Sequence, residues 1–365
     1  MSKRIEYIDI ARGIGILLVV LGHNDFSLVS PFAYKVIYSF HMPLFFFLSG
    51  YFLNTAVGFW SFFKKRFNAL IKPYWFTIFL IYFGALSFGK LGFQTAIIRT
   101  VKSLYGTGRY IDWVQLWFLP HLFVVSLYAF AFYALVGRIN NRFVRWFILL
   151  VTLVASSFFL KTFYPFTFSA FGKTLDLYGL PFSLDLVLLS GFFFILGSET
   201  RQITSEKLFS NWILLLGTGA ALLLMNIFFA PIIDLNTRTY ESFVINTIES
   251  ITGILFILAL SRQIELRTDK VASFFKYVGK ISLIILIFHV PIQDFWGQKF
   301  RGLTDNAALS IWLAYIMGVL VPILIYEIFI KFNPVASFWF GREAETPKAE
   351  APQKEEVAAT TTNPA

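Results

Sequence analysis

Apolar residues gather into ten stretches separated by short polar segments: about 8–28, 34–53, 72–90, 116–137, 146–163, 181–198, 211–232, 243–260, 281–299 and 309–331. Each is near the roughly 20 residues that an α-helix needs to cross the hydrocarbon core of a bilayer. None shows the alternation of apolar and polar residues that marks the strand of a membrane β-barrel. The pattern therefore predicts an all-α, polytopic integral membrane protein with about ten transmembrane helices. The first stretch contains Asp9 and Arg12, is followed by no small-residue cleavage site, and leads at once into a second stretch. It reads as a retained span, not a cleaved signal peptide. Between the third and fourth stretches, Phe93, Ala96, Ile97, Val101 and Leu104 recur at helical spacing, as in a helix lying along the membrane interface.

Composition strengthens this picture. Of 365 residues, 57% are hydrophobic and 14% charged, whereas a soluble domain is nearer half apolar and a quarter charged. The 46 Phe, 16 Tyr and 9 Trp suit lipid-facing surfaces and interfacial belts. The net charge of +10 would suggest nucleic acid in a soluble chain. Here the placement of the charge matters more. With the N-terminus in the cytoplasm, 20 of the 31 Lys and Arg fall on the inner side and 10 on the outer, with Arg12 inside the first span. That bias predicts an N-in, C-in topology and accounts for the charge without a nucleic-acid partner, so none is expected. The domain reading is a membrane domain over 1–340 and a disordered cytoplasmic tail over 341–365, rich in Glu, Ala, Pro, Lys and Thr with little to bury. No further folded domain and no internal repeat is expected, and the second point counts against the inverted-repeat transporters.

The chain has no Cys and four His: His23, His41, His121 and His289. Disulfides, thiolate nucleophiles, Fe–S clusters and Cys-type zinc sites are excluded, and no metal or tightly bound cofactor is expected. Chemistry is left to imidazole, hydroxyl and carboxylate.

Arg12 and His23 stand out. Eleven residues at about 100° each make three turns plus about 20°, so the two share one face of the first helix, about 16 Å apart. Asp9, three residues before Arg12, is a ready partner for it. Gly15 and Gly22, on that face, permit close approach of a ligand or helix. A cation at the cytoplasmic edge and a proton acceptor deeper in one groove suit a long anionic ligand whose reactive end lies near His23.

The remaining candidates each carry a structural alternative. His41 lies beside Pro43, which removes a backbone donor, so it is either a carbonyl-bonded structural His or a second catalytic imidazole. Lys64, Lys65, Arg66 and Lys72 are either topology signals or a capture site for nucleotide phosphate. The basic segment with Lys90, Arg99, Lys102 and Arg109 is either in contact with lipid headgroups or the rim of an anionic substrate site. Trp117, one turn before His121, is an interfacial anchor or a substrate contact. Asn246, Glu249, Ser250 and Gly253 form a polar stripe in an apolar helix, with Glu249 as an acid/base candidate or a partner for Arg12. Asp185 is a similar case, for which structural pairing is the more common use. His289 sits mid-span beside Pro291.

Taken together, Tyr7-Ile-Asp9-Ile-Ala-Arg12-Gly13-Ile-Gly15 through Gly22-His23, then Ser39-Phe40-His41-Met42-Pro43 through Ser49-Gly50-Tyr51, then Trp117-Phe118-Leu119, and Ser282-Leu283 with His289, resemble the membrane acyltransferase 3 family. The nearest branch by resemblance is that of the fucose 4-O-acetylase-related proteins. The resemblance implies transfer of an acyl group, usually acetyl from cytoplasmic acetyl-CoA, to a sugar hydroxyl of a bacterial surface or secreted glycan, in the bacterial cytoplasmic (inner) membrane. It implies His23 as the essential catalytic residue and Arg12 as a donor-binding one. The family often carries two arginines three apart in the basic segment before the third span. Here Arg66 is followed by Ala69, with Lys72 the next basic residue. Acetyl-CoA enters as co-substrate, and a glycan or lipid-linked sugar is the implied acceptor. A transporter or flippase of a lipid-linked sugar is the alternative. Oligomeric state is left open.

Overall fold

The computed structural model describes residues 5–345 except 140, 171, 230, 231 and 343. In chain order the first elements are α1 (Glu6–Gly22), α2 (Phe26–Val29), α3 (Pro31–Tyr38), α4 (His41–Tyr51) and α5 (Phe59–Arg66). A π-helical turn (Phe67–Ile71) joins α5 to α6 (Lys72–Ser87). There follow α7 (Phe93–Leu104), α8 (Phe118–Val136), α9 (Arg142–Thr162), and the hairpin β1 (Phe166–Ala170)–β2 (Lys173–Leu177). Then come α10 (Val187–Ile203), α11 (Glu206–Phe209), α12 (Trp212–Phe228), and the short hairpin β3 (Ile233–Asp234)–β4 (Thr239–Tyr240). The last elements are α13 (Phe243–Arg267), α14 (Asp269–Lys280), α15 (Ser282–Leu303), α16 (Ala307–Ile325) and α17 (Pro334–Trp339). The protein is therefore nearly all helix. The two antiparallel hairpins, which an all-α reading misses, lie in loops between helices.

Every one of the ten apolar stretches contains helix, but they differ in length. Six helical runs are long and apolar enough to cross a membrane: Phe59–Ser87, Val114–Val136, Arg142–Thr162, Pro181–Ile203, Phe243–Arg267 and Ala307–Ile330. A seventh is possible if α14 and α15, bent by 78° at Ile281, form one broken span. The remaining stretches hold shorter helices: α1 and α12 have 17 residues each, and α3 and α4 split the second stretch in two. Phe143 and Phe147 on α9 and Ile213 and Ile227 on α12 point outward, as lipid solvation requires. The chain is a multi-pass membrane protein.

The prolines explain two of the irregularities. The break in the second stretch falls at Ser39–Phe40, not at Pro43, which sits in the first turn of α4, where its missing N–H was not needed. Pro291 lies inside α15 and cannot donate to the carbonyl four residues earlier. That carbonyl, of Ile287, instead accepts a 2.9 Å hydrogen bond from Nε2 of Gln115.

The expected amphipathic helix is α7. Its Ala96 and Ser103 face inward, and Phe93, Ile97 and Val101 outward. Tyr74 of α6 donates to the Ser103 carbonyl at 2.5 Å, tying this helix to the bundle.

Helix α1 is the hub, packed against α13, α14, α15 and α4. Tyr7, Ile8, Ile10, Ala11, Ile16 and Val20 are buried around its whole circumference. Two glycine crossings set how closely the helices approach. A methyl group at Gly13 would overlap the Phe275 carbonyl of α14, and one at Gly279 would overlap the Asp9 carbonyl of α1. In the same way, a methyl at Gly50 of α4 would overlap the Phe194 carbonyl of α10, and one at Gly197 the Phe47 carbonyl. Small residues let backbones touch where lipid supplies no hydrophobic drive for helix association. Overpacking such a contact costs roughly 1–3 kcal/mol. Gly50→Val is therefore expected to lower the detergent melting temperature measurably. Gly58→Val, where an added Cβ meets nothing within 4 Å, should leave it unchanged.

Candidate active site

His23 ends α1. Its backbone N–H donates to the Val19 carbonyl at 3.1 Å, and its Nδ1 contacts the same oxygen at 2.8 Å. A carbonyl only accepts, so Nδ1 carries the proton, and in the neutral ring Nε2 holds the lone pair. His289 and His41 are held alike: His289 Nδ1 lies 2.9 Å from the Ile285 and Leu286 carbonyls, and His41 Nδ1 lies 3.0 Å from the Ile37 carbonyl. The His289 ring meets the His23 ring edge-on, 5.1 Å between centroids, and its buried Nε2 has no partner among the described residues. His41 is buried against Tyr38, 4.6 Å between rings.

A cavity of about 340 Å³ runs from His23 to a group of basic side chains. Arg12, Arg66, Lys280 and Arg342 contribute cations to its lining; the last three come from segments that the charge bias predicts to be inside, and Arg12 from the first span. Ile16, Val19, Met42, Phe45, Leu283 and Leu286 give it apolar walls. Trp117 forms part of the wall and stacks on His121, 5.4 Å between rings. His121 is itself satisfied on both sides: Nδ1 lies 3.1 Å from the Phe182 carbonyl and Nε2 2.8 Å from Ser190 Oγ. Phe182 and Ser183 hold left-handed backbone at φ 56° and 54°, which presents that carbonyl to His121. His121 is thus a support for Trp117.

The cations are held in different ways. Arg12 lies 3.6 Å from Asp9, the partner expected from spacing, and over Phe52 at 5.6 Å. Arg66 packs over Phe62 and Phe194 at 5.3 and 6.0 Å, and among the described residues no carboxylate is within ion-pair distance of it. The 78° bend between α14 and α15 brings Lys280 and Ser282 to the cavity. Arg342 donates to the Lys280 carbonyl and lies 5.1 Å from the Tyr326 ring, while Lys280 pairs with Glu345. The hydrogen bond and charge of Lys280 hold the Glu345 carboxyl below its usual range. Residues 341, 342, 344 and 345, expected in the tail, thus continue the structure beside the cavity; 346–365 lie outside the described residues.

Of the residues singled out by sequence, Arg12, His23, Arg66 and Trp117 line one cavity. Asp9 and His289 are their immediate neighbours. Lys65 is exposed, and Lys72 lies over Phe338 at 3.7 Å, so both sit outside the cavity. Glu249 is fully buried, and both of its oxygens are without a hydrogen-bond partner among the described residues, Arg12 included. Asp185 forms a buried two-point pair with Arg238 at 2.8 and 3.0 Å. Lys280, Ser282, Gln115 and Arg342 were not legible as site residues. Arg342 looked like tail, and only the bend at Ile281 shows where Lys280 goes. Among the described residues no group of three or more His, Asp or Glu is placed to hold a metal ion.

The site is thus a cavity in a helical membrane bundle, lined by four cations and by an imidazole. A family model described as an acyltransferase domain matches residues 5–327. The chain belongs to the acyltransferase 3 family and is a membrane acyltransferase. No curated protein matches the chain, and no solved structure matches it.

Proposed function

We propose that the protein is an O-acetyltransferase that takes acetyl from cytoplasmic acetyl-CoA and passes it to a sugar hydroxyl of a bacterial surface or secreted glycan, within the fucose 4-O-acetylase-related branch. We place it in the bacterial cytoplasmic membrane with about ten crossings, N-in and C-in, the shorter helices and the broken pair serving as crossings alongside the long ones. One observation carries this reading: a single cavity is lined by four cations and by His23.

The donor's phosphates are fully charged at neutral pH, and its pantetheine arm is long and uncharged. Arg12, Arg66, Lys280 and Arg342 suit the phosphates, since arginine binds them through paired, charge-assisted hydrogen bonds. The apolar walls suit the arm. At about 340 Å³ the cavity is at the small end of ligand pockets, so the nucleotide stays at the mouth. Lys65 and Lys72, outside the cavity, add attraction at long range. Asp9 orients Arg12.

His23 Nε2 takes the proton of the acceptor hydroxyl as its oxygen attacks the thioester carbonyl. The new C–O bond forms, the C–S bond breaks, and the proton passes to the departing thiolate. Such general-base help is worth on the order of 10²–10⁴-fold. An acetyl-His23 intermediate is the variant, distinguished by ping-pong kinetics. His41 and His289 flank His23, and Trp117 walls the carbonyl's side. The thioester is already activated, so the step needs no metal.

The test uses detergent-solubilised protein with radiolabelled acetyl-CoA and candidate sugars. Label on the sugar is expected without any membrane gradient. A protein that moves lipid-linked sugars across vesicles but transfers no acetyl group would be the transporter instead.

A further inference from the structure

His23 lines a second, smaller pocket of about 60 Å³, built from the chain just after α1 and from α15 and α16. Its Arg301 belongs to a segment that the charge bias predicts to be outside, and Asn24 and Asp25 lie at the predicted outer end of the first apolar stretch. The geometry points to this pocket as the acceptor subsite, where Gln293 and Asp294 bind the hydroxyl edge of a neutral sugar and aim it at His23. The inference rests on the acetyl-transfer reading for its chemistry.

Three features support it. The first is an unmet acceptor. Gln293 is 2% exposed; its Nε2 donates to the Val20 carbonyl at 3.0 Å, and its buried Oε1 has no partner among the described residues. Buried polar atoms are almost always paired, and a sugar O–H supplies the donor this oxygen lacks. Gly318 holds the side chain there, since a methyl at that position would press 2.5 Å from Gln293 Cγ.

The second feature is that other polar groups in the pocket are already used. Asn24 donates to the Ile311 carbonyl at 3.3 Å and accepts from the Phe26 N–H at 3.0 Å. Ser310 bonds the Asn306 carbonyl at 3.1 Å and Thr304 at 2.8 Å. Asp25 pairs with Arg301 at 2.5 Å, joining the loop after α1 to the end of α15. Gln293 and Asp294 are left to face a ligand.

The third feature is charge. With Arg301 taken by Asp25, Asp294 leaves the pocket negative, the opposite of the cationic donor cavity. It accepts hydroxyl hydrogen bonds and repels carboxylate or phosphate, which selects neutral sugars. Asp294 also lies within electrostatic reach of His23, where it stabilises the imidazolium formed as the hydroxyl proton moves to Nε2. The volume equals about two waters, at roughly 30 Å³ each, so it admits one hydroxyl-bearing edge and leaves the rest of the glycan outside.

Two experiments test this. Purified protein receives radiolabelled acetyl-CoA with methyl α-glucoside, methyl α-fucoside or glucuronate as probes. Gln293→Leu and Asp294→Asn are expected to raise the half-saturating concentration of the methyl glycosides about 10-fold or more, as loss of a hydrogen bond to a charged or buried group implies, while that of acetyl-CoA stays within about 2-fold. Unchanged acceptor saturation in both variants, or wild-type preference for glucuronate, overturns the proposal. The second experiment does not depend on the donor. The natural chain has no Cys, so Gly297→Cys, which lines the pocket where an added Cβ makes only ordinary contacts at 3.6 and 3.9 Å, is a unique thiol. It should react with a membrane-impermeant maleimide added outside intact cells, and methyl glycoside should slow that reaction at least 3-fold while glucuronate does not. No labelling from outside, or no protection, overturns the subsite. Protection in a protein that fails to bind acetyl-CoA leaves the subsite standing and removes the donor reading instead.

Discussion

Replacing His23 with Ala is expected to abolish acetyl transfer while leaving the protein in the membrane at its normal level. The activity loss follows from removing the one imidazole shared by both pockets, a fall of about 10²–10⁴-fold or to background. The structural cost is small. The Val19 carbonyl keeps its bond from the residue 23 backbone N–H, so the lost Nδ1 contact is a surplus hydrogen bond worth about 1 kcal/mol. Glycan mass spectrometry of a strain carrying the variant, with immunoblotting of its membrane fraction, reads both halves. Normal acetylation would remove His23 from the mechanism. His41→Ala and His289→Ala are expected to fall between this variant and wild type.

Arg66→Gln combined with Arg342→Gln should raise the donor's half-saturating concentration by about 10²–10⁴-fold with little change in maximal rate. Each cation contributes a charge-assisted contact to phosphate worth about 1.5–3 kcal/mol, and both act on ground-state binding away from the reacting carbonyl. Gln keeps much of the stem that packs on Phe62 and Tyr326. The wild-type affinity should also weaken as salt rises, and the double variant's much less. Lys65→Gln is the control. It is exposed and outside the cavity, so a change below about 5-fold is expected. Titration calorimetry with acetyl-CoA reads all three. Equal losses in Lys65→Gln and in the double variant would place the phosphates on the surface rather than in the cavity.

Helix periodicity was enough to relate Arg12 to His23, because both lie on one helix and 11 residues return to the same face. The same logic found the Asp9–Arg12 pair and the amphipathic α7. It failed where the relevant geometry lies between helices. Gly15 and Gly22 do admit close neighbours, the side chains of Leu44, Phe45 and Tyr38, but the positions where backbones touch, Gly13 and Gly279, carry no such signal in the spacing. Pro43 removes a backbone donor, yet the break in the second stretch lies three residues before it, because a proline in a first turn interrupts nothing. Glu249 was a reasonable partner for Arg12 on charge alone, yet it is buried with no hydrogen-bond partner among the described residues.

Membrane residence, the lack of any thiol and the His23 candidate were all legible in the chain, since they depend on composition, spacing along one helix or the count of a residue type. The convergence of Arg66, Lys280 and Arg342 with Arg12 depends on the 78° bend at Ile281, the π-helical turn at Phe67–Ile71 and the contact of Arg342 with the Lys280 carbonyl. Those are packing outcomes, with no period that a linear reading can detect. The smaller pocket is of the same kind: Gln293 becomes a candidate only when Val20 and Gly318 from two other helices fix its amide and leave one oxygen without a partner among the described residues.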